Sequence, residues 1–251
     1  MIKERIDKLL FEKGLAASRE RARAMIMEGK VKVNGQPASK AGEMVGIDSQ
    51  IEIKGEDMPY VSRGGLKLEA ALKYFEISVR DKVAIDVGSS TGGFTDVMLQ
   101  QGTRKVYCID VGYGQLAWKL RQDPRVVLLE RTNIRHLEMD RIPETIDIAT
   151  IDVSFISLNK VVPKVLEFLA ADGRIVALIK PQFEVGKGEV GKGGIVKDAV
   201  KRQAAVDRVK GELEALGLCI NGIIESPILG QKGNVEYLIH CIKGKICQSF
   251  S

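Results

Sequence analysis

The chain has 251 residues, 45% of them hydrophobic and 28% charged, an ordinary composition for one large soluble domain or a medium domain joined to a small one. No apolar run is long enough to span a bilayer, and the start Met-Ile-Lys-Glu-Arg has no signal-peptide apolar region, which argues against a membrane or secreted protein and for the cytoplasm. Of the 38 Lys/Arg and 33 Asp/Glu, residues 1–40 hold ten and five, leaving 28 of each sign in the remainder. A basic head on a neutral body suggests a polyanion-binding module joined to a part that does chemistry.

Cys108, Cys219, Cys241 and Cys247 form no C-x-x-C pair and no Cys/His cluster, so reduced thiols are expected and no metal site. His136 and His240 stand alone, without a partner that would make either a base or a ligand.

In the head, Ile2, Ile6, Leu9 and Leu10 recur with helical period and predict a short first helix ending near Gly14. Ser18 suits the N-cap of a second helix with Ala22, Met25 and Ile26 on its apolar face and Gly29 as its stop. Val31 and Val33 alternate with Lys30 and Lys32 before Asn34-Gly35, a strand and a turn, and Ile47, Ile51 and Ile53 supply further strand material. R-x-D-x-L-L from Arg5, S-R-x-x-A-R-A from Ser18 and G-x-V-x-V-N-G from Gly29 resemble the RNA-binding domain named after the fourth small-subunit ribosomal protein. That resemblance implies RNA contact by Arg5, Arg19, Arg21, Arg23, Lys30 and Lys32, and Arg63 further on is a candidate for the same role.

The polar stretch 54–62, with Pro59, marks the join. The expected division is an RNA-binding domain over 1–58, a linker over 59–65, a catalytic domain over 66–245 and a tail over 246–251. Ser62-Arg63-Gly64-Gly65 opens a helix that buries Leu68, Ala71, Leu72 and Phe75, with Lys67 beside that stripe rather than opposite it. Strand patterns then follow at 83–87, 106–111, 126–129, 146–153, 175–179, 220–224 and 237–242, and helix patterns at 93–101, 115–121, 158–170 and 197–216. Strands alternating with helices predict an α/β fold, a parallel doubly wound sheet; the last two lack a helix between them and predict an antiparallel hairpin. The five glycines of 186–194 predict a mobile loop at the site's entrance.

In such a sheet the residues at the carboxyl ends of the strands face the ligand. The first strand ends at Asp86 and breaks into Gly88, Ser89, Ser90, Thr91, Gly92, Gly93 and Phe94, a turn that lets backbone approach a ligand and offers free N–H groups to a carboxylate. It is neither a phosphate-binding Gly-Lys-Ser/Thr loop nor the dinucleotide fingerprint. Its form D-x-G-x-x-x-G-G resembles motif I of S-adenosylmethionine-dependent methyltransferases. Asp110, about 20 residues on and followed by Val111, suits two ribose hydroxyls, and Asn133 suits an adenine edge. The fourth strand ends with Asp152, the fifth with Lys180, and Glu236 begins the last.

Lys67, Asp152, Lys180 and Glu236 occur in the order of the Lys-Asp-Lys-Glu tetrad of FtsJ/RrmJ-type 2′-O-ribose methyltransferases. With the basic head, and with strings such as Val61 to Leu68, Asp152 to Leu158 and Lys180 to Val185, the chain resembles the TlyA (hemolysin A) family of rRNA 2′-O-methyltransferases. The resemblance implies a Rossmann-like seven-stranded methyltransferase fold, S-adenosylmethionine as cofactor, ribosomal RNA and ribosomal subunits as partners, and a monomer. It implies the tetrad as the catalytic group, with Asp152 also near the cofactor. An ammonium cannot accept a proton, so Lys180 acts as a neutral base or stabilises a developing alkoxide. Three other classes compete: a non-catalytic RNA-binding protein, which leaves the glycine turn and tetrad without purpose, a cytolysin, which needs a membrane-inserting segment that is not visible, and an NAD-dependent enzyme, which fits the fold but not the glycine spacing.

Overall fold

The structure is a computed structural model describing residues 2–16, 18–54, 58–186, 188, 190–191 and 193–244. The expected tail, Cys247 and positions 187, 189 and 192 of the glycine-rich loop lie outside the described residues. The chain divides into two units, Met1–Pro59 and Tyr60–Ser251.

The first unit runs β1 (Lys3–Arg5), α1 (Ile6–Glu12), α2 (Arg19–Met27), β2 (Val31–Val33), β3 (Gln36–Pro37), β4 (Met44–Gly46) and β5 (Ile51–Ile53). Residues 3–5 are extended rather than helical, because they pair antiparallel with Met44–Gly46; that tertiary pairing overrides a local helical pattern. Ser18 caps α2, its Oγ accepting from Arg21 N at 3.1 Å. β2 and β3 form a hairpin through Asn34 and Gly35, both in the left-handed region. Ile6, Leu10, Ala22, Met25 and Val31 make the core of this unit.

The second unit runs α3 (Gly64–Tyr74), β6 (Val83–Val87), α4 (Gly93–Gln100), β7 (Lys105–Ile109), α5 (Trp118–Arg121), β8 (Val126–Leu129), β9 (Ile146–Ile151), α6 (Val162–Phe168), β10 (Leu169–Ile179), α7 (Pro181–Glu184), α8 (Ala199–Ala215), β11 (Leu218–Glu225) and β12 (Tyr237–Lys243). Its seven strands lie in the order β11-β12-β10-β9-β6-β7-β8. β12 runs antiparallel to both neighbours and the other described pairings are parallel. Alternation along β6 sends Val83, Ile85 and Val87 to the face covered by α6 and α8, and Ala84 to the face covered by α3 and α4. Both faces are therefore buried, as the near-continuous apolar strands require.

Several boundaries move. β7 and β9 stop at Ile109 and Ile151, leaving Asp110 and Asp152 just past the strand tips. The helix expected over 158–170 begins as a short 3-10 turn, Leu158–Lys160, and ends at Phe168, because Leu169 pairs with Ile146 and starts β10. Only Trp118–Arg121 of the 115–121 stretch is helical; Ala117 N instead bonds Thr91 O at 3.2 Å. Cys108 and Cys241 are buried free thiols. Among the described residues, no helix is long and apolar enough to cross a membrane, and no group of three His, Cys, Asp or Glu could hold a metal.

Candidate active site

Strand order reverses at β6, which has β7 on one side and β9 on the other, and the crevice opens at their carboxyl ends. The turn after β6 crosses very close to the tip of β9. Gly88 has φ +83°, and a Cβ there would lie 2.5 Å from Asp152 O, so no side chain fits. Ser90 is also left-handed (φ 46°), held by its N–H, which donates to Asp110 Oδ2 at 2.7 Å. Asp110 takes a second bond on Oδ1, from Gly112 N at 2.7 Å. A carboxylate has about four acceptor positions, so it keeps room for hydroxyl donors.

Two cavities adjoin along this turn and share Gly88, Ser90, Asp152 and Ser154. The first, about 240 Å³, is lined by Gly93, Phe94 and all four tetrad candidates: Lys67, Asp152, Lys180 and Glu236. The second, about 490 Å³, is lined by Asp110, Val111, Asn133 and Arg135. Gly92 lines neither; a side chain there would strike Leu116 and Leu120, so its place is packing. Asp86 lies at the wall of the first cavity but is fully buried. Its Oδ2 accepts from Thr95 Oγ1 at 2.6 Å and its Oδ1 from Thr150 Oγ1 at 3.0 Å. Burial pushes its carboxyl up to about 6, against those two hydrogen bonds.

The tetrad is two ion pairs facing one cleft. Lys67, buried on α3, donates to Glu236 Oε2 at 2.6 Å. Lys180 Nζ lies 2.5 Å from Asp152 Oδ1 and donates to Ser154 Oγ at 3.0 Å. Two cations and two anions cancel, which is how a largely buried cluster of this kind is tolerated.

Several neighbours carry no signal in sequence periodicity. Phe155 is 87% exposed yet has φ +65°, a strained conformation for a bulky residue, and its ring lies 4.9 Å from that of Phe183. Glu184 ties the Lys180 element to the Asp152 loop by accepting from Ser157 Oγ at 2.5 Å and Leu158 N at 3.0 Å. Ser89 Oγ and Gln182 Oε1 line the first cavity, buried and with no partner in the described protein. Orphaned buried polar atoms in a cleft fit a polar ligand that completes them. An elongated molecule with a zwitterionic head and a nucleoside tail matches the pair of cavities.

Of the RNA-contact candidates, Arg5, Arg19 and Arg23 converge on Asp7, while Arg21 and Lys30 meet Glu28. Lys32, half-buried on β2, lies opposite Glu52. Arg63 donates to Leu229 O at 2.9 Å, in the loop that precedes Glu236.

A parallel sheet with a reversed final hairpin, a glycine turn at its switch point and an acid at the next strand tip define a Rossmann-like methyltransferase. The FtsJ-like methyltransferase family matches residues 60–243 and the S4 domain matches residues 4–51. The chain belongs to the FtsJ-like methyltransferase family and carries an S4 domain ahead of it. It is 50% identical over 239 residues to YqxC of Bacillus subtilis (strain 168), covering 95% of this chain and 85% of that protein. It is 45% identical over 236 residues to the 16S/23S rRNA (cytidine-2′-O)-methyltransferase TlyA of Mycobacterium tuberculosis, covering 94% of this chain and 88% of that protein. A solved structure from Streptococcus thermophilus that bears a hemolysin name matches with a TM-score of 0.77 and 45% identity, over 98% of this chain and 90% of that one.

Proposed function

We propose that this protein transfers a methyl group from S-adenosylmethionine to the 2′-hydroxyl of a cytidine ribose in ribosomal RNA, acting as a monomer in the cytoplasm. The observation that carries the proposal is the pair of ion pairs, Lys67–Glu236 and Lys180–Asp152, lining one cavity that adjoins the glycine turn. The TlyA relative, named for that reaction, supports it. RNA follows from the reacting group, because DNA has no 2′-hydroxyl.

Bound in the adjoining cavities, the cofactor supplies a methyl group already activated on a sulfonium. The backbone at Gly88 and Gly93 would line the place of its amino-acid end, Ser89 Oγ would offer that end a free hydroxyl, Asp110 would accept from its ribose hydroxyls, and Asn133 would lie beside its base. The remaining work is alignment and removal of one proton. As the new C–O bond forms, the proton of the ribose hydroxyl passes to Lys180 in its unprotonated form, an amine held in place by Asp152 Oδ1, 2.5 Å from Nζ, and by Ser154 Oγ. Lys180 then stands beside the developing oxyanion, and Lys67, fixed by Glu236, adds a second positive group at the same wall. Phe155 and Phe183 offer aromatic surface beside the cleft, where a nucleotide turned out of folded RNA can stack.

The test is tritiated-methyl transfer onto separated small and large ribosomal subunits from an unmodified strain, followed by mapping of the blocked ribose. Label at a cytidine 2′-oxygen is expected with the wild type and none with Lys180→Ala, which still binds cofactor in calorimetry. Absence of label with the wild type, or near-normal single-turnover transfer by Lys180→Ala, refutes the reading.

A further inference from the structure

Asp7 is an acid at the centre of a basic surface. It has no exposed surface, and it faces three arginines from separate points of the first unit. Arg5 grips it with two donors, Nε to Oδ1 and Nη2 to Oδ2, each at 3.0 Å. Arg23 Nε donates to Oδ2 at 3.0 Å, and Arg19 Nη2 donates to the same oxygen at 3.2 Å. Arg19 and Arg23 stand one turn apart on α2, while Arg21 between them turns to Glu28 at 3.6 Å with a side chain only 14% exposed. The guanidiniums hold the Asp7 carboxyl well below the usual carboxylate range, so it is ionised wherever the protein is folded and working.

Three positive charges on one negative leave a local surplus of two. A guanidinium carries five N–H donors, and Asp7 takes two from Arg5 and one each from Arg19 and Arg23, so most remain for another anion. The three side chains are 43%, 45% and 50% exposed, which leaves those donors within reach of solvent. A free arginine gives up much rotamer freedom when it grips a phosphate, and three of them brought together repel one another. Asp7 has already removed both obstacles.

We propose that Arg5, Arg19 and Arg23 form a single site for a phosphodiester of structured RNA, and that Asp7 is the positioning residue that builds it. The inference rests on the reading of the protein as an RNA-modifying enzyme and deepens it: an acid is needed for binding a polyanion.

The experiment measures the affinity of the full chain for rRNA extracted from an unmodified strain, across a series of KCl concentrations. Simple electrostatics expects Asp7→Asn to bind more tightly, since it removes a negative charge. The proposal expects binding about tenfold weaker, and a log affinity against log salt slope shallower by about one phosphate contact. Asp7→Glu, which keeps the charge, recovers part of the loss, and cofactor affinity is unchanged in both. Unchanged or tighter RNA binding by Asp7→Asn overturns the proposal and leaves the enzymatic reading standing. If Asp7→Asn does not fold, Arg19→Gln, Arg23→Gln and their double variant decide. A single site loses little more in the double than in either single, whereas additive losses mean independent contacts and overturn it. Wild-type protein that neither binds nor methylates the separated ribosomal subunits of that strain overturns both readings together.

Discussion

Glu236 holds its carboxylate in space that Gly230 leaves open: a Cβ at Gly230 would lie 1.9 Å from Glu236 Oε1. Glu236 is the partner of Lys67, so the loop before β12 determines where that lysine points. Gly230→Ala must push the carboxylate aside, and a misplacement of roughly 1 Å in a catalytic group costs on the order of a hundredfold in rate. The variant is expected to fold, bind S-adenosylmethionine normally and lose about that factor in single-turnover methyl transfer. Near-wild-type turnover would remove the Lys67–Glu236 pair from the mechanism.

Phe155 couples strain to function in the opposite direction. Its left-handed backbone costs roughly 1–2 kcal/mol, and with 87% of its surface exposed it recovers little by burial. Phe155→Asn, a residue that tolerates this conformation, is therefore expected to leave unfolding in urea unchanged or to stabilise the protein by up to about 1 kcal/mol. If the ring stacks on the target nucleotide, the same variant loses about 1–3 kcal/mol of RNA interaction, read as a higher KM or lower kcat on rRNA. Full activity at wild-type stability would show that the strained ring serves neither purpose.

The sequence exposes what depends on strand topology and hides what depends on long-range approach. Asp110, Asp152 and Lys180 were legible because a parallel sheet presents the residue after each strand to one crevice, whatever the details of packing. Lys67 and Glu236 lie 169 positions apart, and no periodicity links them; only the resemblance to a known tetrad brought them together. Residues 3–5 defeated the helical reading because their partner strand lies about forty residues on. Phe155 gives no signal at all, since a left-handed aromatic looks like any other aromatic in a one-letter string. Asp7 lay inside a motif read for its basic residues, and its burial under three arginines is a tertiary fact.

Asp86 makes stability depend on pH in a particular direction. Its folded value of about 6 stands above the 3.8 of an unburied aspartate, so the native state binds the proton more tightly than the unfolded chain. Stability therefore falls as pH rises from about 4 to 6, and the full cost, about 3 kcal/mol at 1.36 kcal/mol per unit, is present above that window. Asp86→Asn keeps groups that Thr95 and Thr150 can bond and carries no charge. It is expected to be more stable than the wild type in urea at pH 8 and no more stable at pH 4. A variant less stable at pH 8 would show that the two hydroxyl bonds to the charged carboxylate outweigh its burial.

His240 produces the opposite slope. It is 1% exposed on β12, its Nδ1 lies 3.2 Å from Asn221 Nδ2, and its Nε2 has no partner in the described protein. Burial, helped by the Arg174 charge, lowers it from 6.5 to about 4, so the unfolded chain takes up the proton first on acidification. Stability is unaffected above about pH 6.5, falls as pH drops through the window to about 4, and carries its full cost below it, about 3 kcal/mol. Between about pH 4 and 6 this acid loss and the gain at Asp86 oppose each other, which leaves a shallow net profile for the wild type. His240→Gln removes one of the two, so its urea midpoint is expected to rise on acidification from pH 6.5 to 4.5 relative to the wild type. Parallel profiles for variant and wild type would mean that His240 takes up its proton as readily in the folded protein as in the unfolded chain, against the effect of its burial.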